Sequence, residues 1–223
     1  MKKNKIFIAA FLVLGIIILI GCKKIETGDV SKITYFAELE LVGNQFMVIP
    51  QGTPFTDPGV NATVQGQPVT VDVSGDIVDE NTPGVYRIEY SVTNAEGFEA
   101  STFRLVGVIS PTAAAQDLSG KYFRTKYGSS TTGGDTAYWT KMDDGLYIDD
   151  NLGGVTRTLY DGAYVYDVYV FNTDQTVLEV PSQPSALGGN VTCYNVTLVP
   201  DSLYSWQIQG SGYGTNLRTF EKQ

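Results

Sequence analysis

The clearest pattern in the chain is GVYRIEYSVTN at residues 84–94. Every second side chain from Tyr86 to Val92 is large and apolar, and the side chains between them are polar. This alternation predicts a β-strand with one face in a hydrophobic core and the other in solvent. Similar runs recur at spacings of about 8 to 15 residues, bounded by Gly, Pro, Asn and Asp. The fold class predicted for the chain is therefore all-β and antiparallel.

The composition excludes several classes of function. The 223 residues include no histidine, so neither a Ser-His-Asp nor a Cys-His nucleophile can form, and zinc lacks its commonest nitrogen ligand. Asp and Glu number 24 against 15 Lys and Arg, a formal net charge of -9, which opposes binding to a phosphate backbone. We expect no catalytic residue, cofactor, metal site or nucleic-acid partner.

The N-terminal segment predicts export and lipid attachment. Three lysines precede the apolar run Ile6–Ile20, which is shorter than the roughly 20 residues of a membrane-spanning helix. LIGC at residues 19–22 resembles the lipobox of bacterial lipoproteins. The resemblance implies a signal peptide at 1–21, cleavage before Cys22, and acyl chains on Cys22 that anchor the chain to a membrane. The alternatives are a plain secretory peptide and an uncleaved anchor.

Cleavage at that site changes the charge and settles the cysteine pairing. It removes three lysines and no acidic residue, so the formal charge of the remaining chain is -12. With Cys22 acylated, Cys193 has no partner for an intramolecular disulfide. Residues 22–32 are polar and are predicted to form a flexible tether.

Four turn and strand motifs in the first half of the chain resemble one family. They are PQGTP at 50–54, DPGV at 57–60, TPGVY at 82–86 and SVTNAEG at 91–97. Proline and glycine at these positions favour tight turns before strands. The motifs resemble the bacterial surface immunoglobulin-like domain family over about residues 33–108. The resemblance implies a β-sandwich with Tyr86 at a corner and Ile88 where antibody domains carry a disulfide cysteine. We predict an immunoglobulin-like domain at 33–109 that acts as a spacer or, alternatively, binds a ligand.

A change of composition divides the chain after this domain. Small residues and a proline at Ser110–Ala115 predict a linker at 110–117, although a short helix starting at Ala113 is an alternative. Residues 118–223 are predicted to form a second antiparallel β-sandwich or barrel. This part has eleven of the fourteen tyrosines and both tryptophans. Residues 162–172 are apolar on both faces, which predicts a central strand or an aromatic platform.

Alternation separates core aromatics from candidate ligand contacts. Trp206 shares a face with other apolar residues and is predicted to lie in the core, whereas Trp139 shares its face with a lysine and is predicted to be exposed. The candidate ligand-binding residues are Trp139, Tyr147, Asp149 and Tyr213, the last set between glycines in GSGYG at 210–214. Exposed rings beside carboxylates suit the apolar faces and hydroxyl groups of sugars. The alternative for these rings is core filling.

The acidic run DDGLYIDDN at residues 143–151 has two further interpretations. A calcium site would use several carboxylates, but the run lacks the glycine and glutamate spacing of an EF-hand, so a solvated hairpin with acidic turns is favoured. A glycosidase would need two carboxylates about 5 to 9.5 Å apart, and Asp149 with Asp167 is one candidate pair.

The second half also resembles a family. Its motifs are SGKYFR at 119–124, YWTK at 138–141, GLYIDD at 145–150 and the glycine pair at 153–154. They resemble the C-terminal all-β domain of small lipoproteins encoded with outer-membrane glycan-uptake systems of the starch-utilisation type. The resemblance implies an outer-membrane location, glycan capture, and transporter components as partners. Two lysines follow Cys22 where that family has acidic residues, so the cell-surface and periplasmic faces both remain open.

We therefore predict a non-catalytic, lipid-anchored outer-membrane protein that binds glycan as an accessory component of a polysaccharide-uptake system. One alternative is a structural spacer or protein-partner subunit of a surface complex that has no ligand of its own. The third interpretation is a glycosidase.

Overall fold

The computed structural model describes residues 33–131, 133–210 and 212–223, without the side chains of residues 160 and 161. The predicted signal peptide, Cys22 and the tether lie outside these ranges. Residues 36–223 form one compact unit. The described ranges contain sixteen strands and one single-turn α-helix, so the all-β prediction is confirmed. No helix within them is long and apolar enough to cross a bilayer.

The first seven strands form a β-sandwich. They are β1 (Glu38–Leu41), β2 (Phe46–Pro50), β3 (Val60–Val64), β4 (Gln67–Pro68), β5 (Asp72–Gly75), β6 (Gly84–Thr93) and β7 (Glu99–Ile109). One sheet has the order β1-β3-β4 and the other the order β2-β7-β6-β5. All pairs are antiparallel except β2 with β7. Leu39 and Val60 from the first sheet pack against Ile88, Tyr90 and Val106 from the second.

The strand predicted from residues 84–94 is β6, and its alternation is confirmed. Ile88, Tyr90 and Val92 are buried, whereas Glu89 between them is exposed. The Tyr86 hydroxyl donates to the carbonyl oxygen of Thr82 at 2.9 Å, which ties the strand back to the Pro-Gly turn before it.

A buried arginine that the sequence analysis did not single out holds the sandwich together. Arg104 is fully buried and donates to the carbonyl oxygens of Val42 at 2.8 Å and Gly59 at 3.0 Å. Its Nε lies 3.3 Å from the Asp57 carboxylate, which also accepts from the Tyr90 hydroxyl. The positive charge is thus paired and hydrogen-bonded, as a buried charge must be.

The segment predicted as a linker contains a helix. Helix α1 (Pro111–Ala114) begins two residues before the alternative start considered for it, because Ser110 caps it and Pro111 occupies its first position. The Ser110 hydroxyl also donates to Asp174 at 2.7 Å, and Ala113 is buried. The segment is therefore packed against the second half of the chain.

The remaining nine strands form one antiparallel sheet. They are β8 (Gly120–Tyr127), β9 (Thr136–Asp143), β10 (Leu146–Asp149), β11 (Val168–Asp174), β12 (Val177–Glu179), β13 (Gln183–Pro184), β14 (Asn190–Val199), β15 (Leu203–Gly210) and β16 (Arg218–Lys222). Their order is β12-β11-β10-β9-β8-β16-β15-β14-β13. The prediction of a strand at residues 162–172 is wrong for the first half of that range. A 3₁₀ turn at Leu159–Gly162 precedes it, and the strand begins only at Val168.

The two ends of this sheet approach each other, so the sheet curves into a half-barrel, which we call the barrel. The Gln183 side chain donates to the Tyr169 carbonyl at 2.9 Å and accepts from the Tyr169 amide at 2.8 Å, as a neighbouring strand would. The Cys193 amide donates to the Val180 carbonyl at 3.2 Å. Eight of the nine strands contribute side chains to a single hydrophobic interior.

The outer face of the barrel packs against the sandwich. The rings of Phe46 and Tyr169 stack with centroids 3.9 Å apart and planes 9° apart. Leu105 of β7 and Phe171 of β11 are fully buried in this contact. A Cβ atom on Gly107 would lie 2.7 Å from the Phe171 ring, so the close approach of the two strands requires glycine.

Gly107→Ala is expected to lower the free energy of unfolding by about 1 to 3 kcal/mol, because the added methyl group forces Phe171 out of its packed position. Urea denaturation followed by circular dichroism measures the change. Ser101→Ala, at an exposed position of the same strand, is the control and should change stability by less than about 0.5 kcal/mol. Equal effects of the two substitutions would contradict a tight contact at Phe171.

Candidate functional site

Trp139 lies inside the barrel, so the prediction that it is exposed is wrong. It is 3% exposed, and its ring centroid is 4.7 Å from that of Tyr204 and 6.0 Å from that of Trp206. Its Nε1 donates to the Tyr204 hydroxyl at 3.2 Å. Lys141 shares its face of β9 but lies near the strand end, where it reaches solvent and pairs with Asp144. Trp206 is fully buried, as predicted.

Tyr147 is also fully buried and has a structural role. Its hydroxyl accepts from the Leu118 amide at 3.2 Å and donates to the Gln116 carbonyl at 3.1 Å. These bonds attach the segment before β8 to the barrel and leave no surface of the ring for a ligand.

Asp149 is fully buried beside these rings. Its carboxylate accepts from the Asn151 amide at 2.8 Å and lies 3.4 Å from the Tyr204 hydroxyl. Burial, and secondarily the charge of Asp150, raise the pKa of Asp149 to about 7. Asp167, its candidate partner in a glycosidase, is exposed, whereas Asp149 has no exposed surface.

The rest of the acidic run lies in a hairpin and its flank. Asp143 and Asp144 lie at the turn between β9 and β10, and Asp150 pairs with Arg157 at 2.9 Å. Within the described ranges no three acidic or cysteine side chains are grouped as a metal site requires. The pairing of β9 with β10 forms the predicted hairpin, with Asp143 and Asp144 at its turn, but Asp149 is buried and not solvated.

Of the predicted ligand contacts, Tyr213 lines a cavity in the described part of the chain. The cavity, of about 260 Å³, is lined by Arg124, Tyr127, Val155, Tyr164, Gly212, Tyr213, Gly214 and Arg218. We call it the arginine pocket. Its residues come from the ends of β8 and β16 and from the β10–β11 and β15–β16 connections. These connections lie at the same end of the barrel, because neighbouring antiparallel strands alternate in direction.

The tyrosine rings of the pocket are held by mutual contacts. Tyr164 and Tyr213 meet edge to face, with centroids 5.2 Å apart and planes 80° apart. The Tyr213 hydroxyl donates to the Tyr164 carbonyl, and the Tyr164 hydroxyl donates to the Gly212 carbonyl, both at 3.2 Å. Gly212 has a φ of +78°, and a Cβ atom there would lie 2.6 Å from the Tyr164 hydroxyl. The glycines around Tyr213 therefore allow this arrangement.

Two arginines form the polar wall of the pocket. Arg218 is 3% exposed and donates to the carbonyl oxygens of Gly214 at 3.0 Å and Asn216 at 2.9 Å. Arg124 donates to the Gly153 carbonyl at 2.9 Å. The two guanidinium carbons lie 5.1 Å and 5.3 Å from the Tyr127 ring centroid. Burial lowers the pKa of both arginines.

These two arginines differ from the other three in the chain. Arg87, Arg104 and Arg157 each pair with a carboxylate at 3.3 Å or less. In the described part of the chain neither Arg124 nor Arg218 has a carboxylate partner, and the Nε of each is buried with no hydrogen-bond partner. The pocket is a local concentration of positive charge in an acidic protein.

Neither arginine is among the candidate residues predicted from the sequence. Alternation in Arg218-Thr219-Phe220 places Arg218 on the same face as a core phenylalanine, a signal that was available. The sequence did not show that Arg124 and Tyr127 lie on the same face of β8. An irregularity in the β8–β16 pairing sets Arg124 opposite Phe220 but Tyr127 opposite Arg218, so β8 gains one residue. Such a bulge changes which side chains point inward.

A comparison with protein families agrees with the sandwich, and a comparison with solved structures gives two weak similarities. Residues 39–108 match the family model described as bacterial surface protein, Ig-like domain. A crystal structure of a lipoprotein from Bacteroides thetaiotaomicron is 25% identical, with 84% of this chain and 100% of that chain covered and a TM-score of 0.38. A Clostridium perfringens structure with an M60 catalytic domain and two CBM51 domains is 12% identical, with 86% and 22% covered and a TM-score of 0.31.

The chain thus spans about a fifth of the Clostridium structure. No curated protein matches the chain. The family match supports a protein of the bacterial cell surface. Residues 39–108, which include nearly all of the sandwich strands, form an Ig-like domain of the type found in bacterial surface proteins.

Proposed function

We propose that the protein is a non-catalytic lipoprotein of the outer membrane that binds carbohydrate in the arginine pocket. Cys22 carries the lipid, and the Ig-like domain holds the barrel away from the bilayer. The protein then serves as an accessory component of a polysaccharide-uptake system, with transporter components as partners. The match of residues 39–108 to a surface domain supports the location.

The observation that carries the proposal is the combination of fixed aromatic rings and hydrogen-bond donors in one cavity. Tyr164 and Tyr213 present apolar ring surface, and Arg124 and Arg218 present guanidinium donors. Sugars need both, because a pyranose has apolar faces and a rim of hydroxyl groups. A volume of about 260 Å³ lies near the lower end of small-molecule sites, about 300 Å³, and suits one sugar residue.

The position of the pocket supports a role in capture. The chain leaves the sandwich at Ile109 and enters the barrel at Gly120, the first residue of β8. Tyr127, which lines the pocket, is the last residue of the same strand. The pocket is therefore at the opposite end of the barrel from the point where the chain enters it.

The lining chemistry supports binding without hydrolysis. None of the eight described residues that line the pocket is a carboxylate. A glycosidase of the usual kind needs two carboxylates across the scissile bond.

Tyr164→Ala is expected to weaken carbohydrate binding about tenfold, or about 1.4 kcal/mol, because it removes one of the two ring surfaces. Glycan-array and affinity-gel retention of the purified full-length protein in mild detergent measure the effect. Tyr194→Ala, an exposed tyrosine on β14 outside the pocket, is the control and should bind as the wild type does.

Two outcomes would contradict the proposal. Retention of no polysaccharide would favour a spacer or a protein-partner subunit, and co-purification with a transporter component would then identify that role. Release of sugar products from a substrate panel would show a glycosidase.

A further inference from the structure

The charge of the arginine pocket has no counter-ion in the described chain. Arg218 is almost completely buried, and the groups that accept its hydrogen bonds are neutral carbonyl oxygens. Arg104, the other fully buried arginine, pairs with the Asp57 carboxylate. Because a buried charge is costly unless it is paired, a buried guanidinium that lacks a carboxylate indicates a site for an external anion.

The second guanidinium strengthens this argument. Arg124 and Arg218 flank the same Tyr127 ring at 5.3 Å and 5.1 Å, and burial first and the charge of Arg124 second lower the pKa of Arg218. Two like charges held close together repel each other, and an anion between them would relieve this repulsion. The Nε atoms of both arginines are buried donors without partners. Oxyanions bind arginine through such donors, often two at a time.

The net charge of the protein does not oppose such a ligand at this place. The formal charge, which is -9 for the whole chain and -12 after cleavage before Cys22, comes from residues distributed along the entire sequence. At physiological salt, charges further apart than about 8 Å are largely screened. The electrostatic free energy of ligand binding therefore depends mainly on the groups that line the pocket. The described lining residues include two arginines and no carboxylate.

We propose that the arginine pocket binds the anionic group of an acidic sugar residue, with Arg124 and Arg218 as its counter-ions and the rings of Tyr164 and Tyr213 against the sugar. This inference rests on the proposed carbohydrate-binding function and narrows its ligand class. The anionic group is a carboxylate, as in a uronic acid, or a sulfate ester. Both are oxyanions that two guanidinium groups can bind.

The test compares each acidic polymer with its neutral form. Affinity-gel retention of the full-length protein is measured on polygalacturonate and on its methyl-esterified form, and on a sulfated galactan and its desulfated form. At least one acidic polymer should be retained about tenfold more strongly than its neutral form. The uronate and sulfate arms then identify which anion the pocket takes. Raising the salt concentration should weaken retention of the acidic polymer only.

A charge variant with a matched control assigns the effect to the pocket. Arg124→Gln should reduce retention of the acidic polymer at least tenfold and bring the ratio of acidic to neutral retention close to one. Lys126→Gln removes the same charge from an exposed position two residues away on β8 and should have little effect. Arg124→Lys keeps the charge without the planar donor group and should be intermediate. A thermal melt of each variant checks that it is folded.

The outcomes separate this inference from the function on which it rests. Equal retention of acidic and neutral polymers, or unchanged retention by folded Arg124→Gln, would overturn the inference and leave carbohydrate binding intact. Retention of none of the four polymers, together with no binding of galacturonate oligomers in calorimetry, would overturn both.

Discussion

Trp139→Ala is expected to lower the free energy of unfolding by about 3 to 5 kcal/mol. The indole is buried among Tyr122, Tyr147, Tyr204 and Trp206, with ring centroids 4.7 to 6.0 Å away. Its removal leaves a cavity in the barrel interior and takes away a hydrogen-bond donor to the Tyr204 hydroxyl. Urea denaturation followed by far-ultraviolet circular dichroism measures the loss.

The neighbouring residue provides the control for this substitution. Tyr138 lies on the opposite face of β9 and is 41% exposed. Tyr138→Ala should therefore lower the free energy of unfolding by less than about 1 kcal/mol. If Trp139→Ala kept near wild-type stability and lost carbohydrate retention, the indole would be a ligand contact, as its sequence neighbours predict. A large loss of stability means that this variant is unsuitable for testing binding.

Asp149→Asn is expected to change the pH dependence of stability. Because burial raises the pKa of Asp149 from the usual 3.8 to about 7, the folded protein retains a proton there that the unfolded chain loses. The stability due to this proton is fully present below about pH 4 and decreases as the pH rises towards 7. The variant lacks this decrease. Relative to the wild type it should gain up to about 4 kcal/mol between pH 4 and pH 8.

Urea denaturation of both proteins at a series of pH values measures this difference, in which the contributions of all other groups cancel. In Asp149→Asn the side-chain carbonyl can still accept the hydrogen bond from the Asn151 amide, so this contact is kept. Asp117→Asn is a control of opposite sign, because hydrogen bonds from Ser119 lower the pKa of exposed Asp117. A difference between Asp149→Asn and wild type that does not vary with pH would contradict the burial of this carboxylate.

The arginine pocket shows how the net charge of a chain can differ from the charge that a ligand meets. The acidic composition favours neutral or basic ligands. The pocket nevertheless contains two of the five arginines, and its described lining residues include no carboxylate. Since screening limits charge effects to nearby groups, the lining residues decide which ligands are admitted.

The sequence predicted local structure well where one strand face meets a core and the other meets solvent. In β6 the buried and exposed positions follow the alternation from Ile88 to Val92, and the Pro-Gly turn before it is tied by Tyr86 to Thr82. The same reasoning placed Trp206 in the core. It failed for Trp139, because alternation shows which residues share a face but not which face points inward.

Residue types and short spacings were enough to predict the all-β class, the turns of the Ig-like domain and the exclusion of histidine chemistry. The other features of the molecule follow from contacts that form only in the folded chain. The nine-stranded sheet curves around Trp139, Tyr147 and Asp149 and buries them, and the side chain of Gln183 on edge strand β13 bonds to Tyr169 of β11. The bulge in β8 brings Arg124 and Tyr127 beside Arg218. Both features depend on contacts between residues far apart in the chain, which local periodicity does not encode.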